Sequence, residues 1–256
     1  LTTNHAVNKD DGVDNCPLVA NADQNDMHSN GSGDACDAAC VYEPTNACRV
    51  KNTNDIGTGS LRGVLELGAT CPTITFACSG TTITMETGQL TLANSVKIDG
   101  GSGVTISGNN ISRVFYVNSG VNASFDKLTI TEGRVGTGPT CPDNCGGGIY
   151  NDNGAITVNG TVSRNTAGAG GGIYNGYGNA TVSGIVSANA ATYGGGGIYN
   201  YHGNINVSAT VSANTAGING GGLNNNYGTT MVSGEVSNNR ANDGGGGIYI
   251  FYGKVT

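Results

Sequence analysis

The sequence predicts an all-β fold, a parallel β-solenoid with about 25 residues per coil. Three observations carry this. A glycine phrase recurs five times: GGGIYN from Gly146 to Asn151, GGGIYN from Gly170 to Asn175, GGGGIYN ending at Asn200, GGGLNN ending at Asn225 and GGGGIYI ending at Ile250. The residue after the glycines, Ile149, Ile173, Ile198, Leu223 and Ile248, returns at spacings of 24, 25, 25 and 25, within the range of solenoid repeats. Between these markers Val158, Val182, Val207 and Val232 hold one register and Val162, Val186, Val211 and Val236 another.

Each element of the coil follows from that pattern. Residues two apart on an extended chain share a face, so Ile156, Val158, Gly160 and Val162 point inward while Thr157, Asn159, Thr161 and Ser163 face water. A second short strand should follow the glycines, because the marker Ile or Leu needs a dry face and the coil must close. Runs of Gly, Ser, Thr and Asn are poor helix formers, and their period is two rather than 3.6. Coils stacked at about 4.8 Å per parallel strand pair make a solenoid. Asn165, Asn189, Asn214 and Asn239 form one column of identical amides, and Asn151, Asn175, Asn200 and Asn225 form another. Stacked amides, each with a donor and an acceptor, can hydrogen-bond along the axis as ladders.

With 45 glycines and no Trp, the core should be thin and aliphatic. No apolar run approaches the roughly 20 residues of a membrane span. The opening, LTTNHAVNKDDGVD, lacks the apolar stretch of a signal peptide, so a mature, soluble segment is expected. The eight cysteines, Cys16, Cys36, Cys40, Cys48, Cys71, Cys78, Cys141 and Cys145, all precede the regular repeats and lack the C-x-x-C pairs of a zinc site. They read as disulfides in an oxidising, extracellular setting. Sequence order suggests the local pairs Cys71 with Cys78 and Cys141 with Cys145, although spacing alone does not determine connectivity.

Charge divides the chain. Up to Cys48 eight acids face Lys9 alone, a net of −7, and the remaining ten acids and ten bases cancel. A segment so acidic and so poor in apolar residues repels itself unless cations neutralise it, which points to calcium. Asp26, His28, Asn30, Gly31, Ser32, Asp34 and Asp37 stand at positions 1, 3, 5, 6, 7, 9 and 12 of a calcium loop, with Gly31 at the sharp turn. Residues 1–48 are therefore read as an acidic, disulfide-containing calcium-binding segment and residues 49–256 as the solenoid. Within the latter, 49–72 form the cap, 73–145 irregular coils and 146–256 regular coils.

In the cap, Leu61, Val64 and Leu65 share one side of a short helix with Ser60 as its N-cap, and this helix should cover the open edge of the first coil. Strand-like runs follow at Thr73 to Phe76, Thr81 to Met85, Gln89 to Leu92, Val96 to Ile98, Val104 to Ile106, Val114 to Val117 and Lys127 to Thr131. Thr137 to Asn144 should bulge out as a loop.

The stretch DGVDNCPLVANADQNDMHSNGSGDACD resembles a thrombospondin type 3 repeat, over Asn8 to Asp37. That resemblance implies calcium near Asp26, Asn30, Asp34 and Asp37 and a further site near Asp10, Asp11 and Asp14. From Val50 to Thr256, NTNDIGTGSLRGVL, TITF, VKIDG, ISGNN, RVFYV, LTITEG and the GGGIYN phrases resemble bacterial secreted right-handed parallel β-helix proteins with a CSLREA-type N-terminal segment. That second resemblance implies the right-handed fold, a secreted location and no single activity, since such coils support lyases, adhesins and passive surface proteins.

The regular repeats carry only Asp152, Arg164, Glu235, Arg240, Asp243 and Lys254 as charges, with no carboxylate pair in one column of neighbouring coils. In the earlier coils Glu86, Asp99, Arg113, Asp126, Lys127, Glu132 and Arg134 are candidates without a spacing that fixes a geometry. No enzyme is expected. A net charge of −7 disfavours nucleic acid. Tyr177, His202, Tyr227 and Tyr252 share one turn register, preceded by Asn153, and Tyr150, Tyr174, Tyr199 and Tyr249 another. Such columns stack on sugars or on each other. The expectation is a secreted structural protein whose open C-terminal coil meets the next molecule, building a head-to-tail filament stabilised by calcium and disulfides. The alternatives are an adhesin or glycan-binding surface protein and, third, a polysaccharide lyase.

Overall fold

The computed structural model describes residues 46–78 and 80–256. The chain winds as a parallel β-solenoid of about eight turns. Three sheets run along it. The longest has 13 strands, from Arg49–Val50 to Lys254–Val255; a second has seven, from Leu90–Leu92 to Ile248–Phe251. The third is short, built from Thr166–Ala169, Ala190–Gly194, Thr215–Ala216 and Arg240–Ala241.

Nearly equal coil lengths place like residues opposite each other. Ile149, Ile173, Ile198, Leu223 and Ile248 pair in sequence across the second sheet, and Val158, Val182, Val207 and Val232 across the first. The step of 24 residues between the first two markers, against 25 afterwards, is absorbed at one corner. Thr166 and Ala167 pair with Ala190 and Ala191, but Ala169 pairs with Gly194, so the later strand carries one extra residue as a bulge.

The core is a single aliphatic column flanked by Phe115 and Phe125, whose centroids are 4.8 Å apart in the wider early coils. In the regular coils it narrows to four or five small aliphatic side chains per turn, such as Ile173, Ala180, Val182 and Val186, all buried. Each Val or Ile among them contributes about 1.5–3 kcal/mol on burial. Ser163, expected to face water, is buried instead, at the end of its strand, where Arg164 with φ of +55° turns the chain toward the third sheet.

The glycine phrase has two physical reasons. The glycine three residues before the marker Ile or Leu is left-handed in every coil, with φ of +65° at Gly146, +61° at Gly170, +63° at Gly195, +61° at Gly220 and +57° at Gly245. The glycine after it meets the next coil: a Cβ at Gly171 would lie 2.5 Å from the carbonyl oxygen of Gly196.

At the N-terminal end Leu61–Leu65 is a helix, and the Ser60 hydroxyl accepts from Gly63 N at 3.0 Å. Leu61 and Val64 enter the core. Arg62 binds Asp55 Oδ1 at 2.7 Å and donates to the Gln89 and Gly88 carbonyls, tying the helix to the coil. Asp55 also accepts from the backbone and hydroxyl of Thr87 and from Glu86 N. Cys48 bonds to Cys71. This corrects the Cys71–Cys78 pair suggested by sequence order: the helical turn brings Cys71 back beside the first strand, 5.1 Å Cα to Cα from Cys48, and Cys78 is engaged in another disulfide. Cys141 does bond to Cys145, closing the loop before the regular coils. The runs Val96 to Ile98 and Val104 to Ile106 belong to one strand, Val96–Ser107, whose pairing shifts between Asp99 and Val104.

Candidate functional site

The regular coils concentrate their polar and aromatic chemistry in four columns. In the first, Asn151 Nδ2 donates to Asn175 Oδ1 at 2.7 Å, Asn175 to Asn200 at 2.8 Å, and Asn200 to Asn225 at 2.9 Å. The second Nδ2 hydrogen of each closes its own turn on the carbonyl three residues on, Gly154, Gly178, Gly203 and Gly228. The second column runs Asn165, Asn189, Asn214, Asn239. The Oδ1 of Asn189, Asn214 and Asn239 each receives both Nδ2 and the backbone N of the Asn in the previous coil, at 2.9–3.0 Å, and Asn165 Oδ1 accepts from Gly133 N. Seven of these eight amides are at most 1% exposed. Buried amides with every group bonded stiffen the stack, and a missing member would leave its neighbours unsatisfied.

The third column is aromatic. Tyr116, Tyr150, Tyr174 and Tyr199 stack at centroid distances of 5.1, 5.1 and 5.3 Å. Burial pushes the Tyr150 phenol up to about 12 and the Tyr174 phenol higher still. Asn224 stands between Tyr199 and Tyr249 in the strand register and ends this run, and the neighbouring Asn226 donates to the Tyr199 hydroxyl at 2.8 Å. At the other end lies Arg113, 5.5 and 5.1 Å from the Tyr116 and Tyr150 centroids. Its guanidinium donates to the carbonyls of Cys145, Gly146 and Pro142 and to Gln89 Oε1. It is buried, and desolvation lowers its pKa to about 10, opposed by the Tyr150 and Tyr116 phenols and Asp143.

The fourth column lies outside. Tyr177, His202, Tyr227 and Tyr252 stack face to face at 5.5, 4.9 and 5.5 Å, and Tyr201 and Phe251 pack edge-on against it. His202, Tyr227 and Tyr252 sit at φ of +59°, +60° and +52°, held there by the turn between the two sheets.

The charged candidates make local bonds. Lys97 Nζ lies 3.0 Å from Asp126 and 3.6 Å from Asp99; Asp126 also accepts from Asn159 and Ser124. Glu132 accepts from Ser107 Oγ at 2.7 Å. The proposed calcium ligands Asp26, His28, Asn30, Ser32, Asp34, Asp37, Asp10, Asp11 and Asp14, and Cys16, Cys36 and Cys40, lie outside the described residues. Among the described residues no group of three or more His, Cys, Asp or Glu could hold a metal, and no helix is long and apolar enough to cross a membrane.

Fold and columns together define a repeat protein of the parallel β-solenoid class. The chain matches no known family, no curated protein and no solved structure.

Proposed function

We propose that this chain is a secreted structural β-solenoid, a rigid extracellular building block without catalysis of its own. The observation that carries the reading is what the coils do with their polar side chains: the buried Asn amides bond the same residue one coil on, and ring faces inside both aromatic columns are covered by the next ring. Groups saturated by their own counterparts lengthen and stiffen a rod and present little to a substrate.

Residues 1–48 form, in this proposal, a separate calcium-binding segment, with Asp26, His28, Asn30, Ser32, Asp34 and Asp37 as ligands and a second site near Asp10, Asp11 and Asp14. Disulfides support an extracellular setting. The strands Ile248–Phe251 and Lys254–Val255 lie at one edge of their sheets, where Ile250 and Phe251 are exposed. In this proposal the strand pairing and Asn ladders that join one coil to the next also join successive copies, giving a head-to-tail filament. Electron microscopy and light scattering of the full chain with calcium test this. Filaments or end-on oligomers are expected, and a stable monomer at high concentration refutes the assembly. Calorimetric titration tests the metal separately, with absence of calcium binding removing it.

A further inference from the structure

Self-stacking covers both faces of the two middle rings of the outer column and leaves one face open on each end ring, Tyr177 and Tyr252, the latter 79% exposed. Tyr227 lies between His202 and Tyr252, and His202 between Tyr177 and Tyr227. Tyr177 differs. Its ring meets His202 on one side and the edge of Tyr201, yet it remains 60% exposed, against 46% for Tyr227. The difference is the face turned toward the preceding coils, where the column is no longer aromatic. By strand register Asn153 occupies that position one coil back and Gly120 two coils back. Asn153 is shorter than the ring above it, and a Cβ at Gly120 would meet nothing within 4 Å. The ring therefore overhangs a polar step whose first level, one strand spacing or about 4.8 Å down, is Asn153 and whose second is Gly120.

The step is rigid. Tyr177 N donates to Asp152 O at 3.1 Å and Asn179 N to Gly154 O at 2.9 Å. A Cβ at Gly176 would approach Asp152 O to 2.6 Å, and one at Gly178 would crowd Gly154 O, so both glycines let the turn lie directly on the coil beneath. The polar groups at the step are the Asp152 carboxylate and the exposed Asn153 amide. Asp152 acts on the Tyr116 and Tyr150 phenols of the inner column, and the turn places it one coil before Gly176, next to the residue that carries the ring.

We propose that this step is a carbohydrate subsite: the free face of Tyr177 stacks on the C–H face of a neutral pyranose while Asp152 and Asn153 bond its hydroxyls. The stack behind Tyr177 holds the ring in its binding orientation, which lowers the entropic cost of association. A carboxylate at the edge accepts from sugar hydroxyls and repels uronic acids, so the ligand class is neutral rather than acidic.

The chain lacks Trp, so its eleven tyrosines are read without indole emission, saturation-transfer NMR reports binding, and the Tyr177 variant assigns the signal to this ring. The full chain is titrated with glucose, galactose, N-acetylglucosamine, maltose and glucuronic acid. Saturable binding of at least one neutral sugar is expected, at least ten-fold weaker in Tyr177→Ala, several-fold weaker in Asp152→Asn and unchanged in Tyr252→Ala at the far end of the column. Tyr177 is exposed, so its variant should melt with the parent. No neutral sugar bound, equal affinity in Tyr177→Ala, loss in Tyr252→Ala alone, or a preference for glucuronic acid overturns the proposal.

Discussion

The guanidinium of Arg113 lies 5.1 Å from the ring centre of Tyr150, so a buried cation faces the inner tyrosine column. Among the described residues no carboxylate bonds it; its partners are carbonyl and amide oxygens and two rings, Pro142 and Cys145 contributing from the loop closed by the Cys141–Cys145 disulfide. Arg113→Met removes the donor from those oxygens and should free residues 137–144. Hydrogen exchange or limited proteolysis should show the loop opening while the regular coils stay protected. Arg113→Lys should not rescue it, because an ammonium lacks the planar fork that reaches several carbonyls while lying on a ring. Unchanged protection in both variants would remove this role.

Asn200→Ala should cost roughly 2–4 kcal/mol. It leaves the Asn175 amide without its acceptor and Asn225 Oδ1 without its donor, each orphaned buried group costing about 1–3 kcal/mol. For a chain of this size the melting temperature should fall by very roughly 5–15 °C. Asn204→Ala, an exposed amide in the same coil, should change it little.

Val207→Asp places an unpaired charge in the core column, where each coil is ordered by its neighbours, and should unfold several coils together. Ser208→Ala, one residue on and exposed, should melt like the parent. Equal melting of the two would show that the assigned faces are wrong.

Asp55 supplies an acid dependence. Desolvation pushes its carboxyl up, but bonds from Thr87, Arg62 and the Glu86 and Thr87 amides outweigh this and hold it below its usual 3.8. A folded-state pKa below the unfolded one gives stability that is present above about pH 4 and lost as pH falls below it. Acid melts of the parent should therefore converge on those of Asp55→Asn below pH 4, and a constant gap across that range would contradict the assignment.

At high pH the sign reverses. Burial raises the Tyr150 and Tyr174 phenols above 10, so the folded chain keeps protons that the unfolded chain releases, and stability should fall as pH rises above about 10. Ultraviolet titration should show these phenols ionising late, with unfolding. Early, reversible ionisation of all eleven tyrosines in the folded state would contradict their burial.

The repeats were legible because they report packing directly: Val158 recurs as Val182 and Val207 since each faces the same dry column. The Asn columns were legible for a similar reason, an amide that bonds its own kind needing the same register each time. What depended on distant chain was not. Arg113 stands where the next coil has Gly147, since Phe115 pairs with Ile149, and aligning RVFYV on GGIYN could have exposed both Arg113 and Tyr116 as members of the tyrosine column. The third sheet gave no signal. Its strands, such as Thr215–Ala216, are two to five residues of Ala, Thr, Gly, Tyr and Arg, too short to show alternation. Disulfide partners depended on where the cap helix turns, which cysteine spacing does not encode. Tyr177 was visible as a column member, but its open face follows only from Asn153 and Gly120 lying before it.

The bulge that pairs Ala169 with Gly194 shows where this rod has slack. Within an unbroken strand of the first two sheets one added residue would exchange the inward and outward faces and break every column through it. At the corner from Ala190 to Gly194 the same addition has been accommodated while Ile173 and Ile198 still pair. Length can thus change there by a single residue within the regular coils, as it does in the earlier coils where pairing shifts between Asp126 and Thr129, so this corner is where a grafted peptide would leave the regular rod in step.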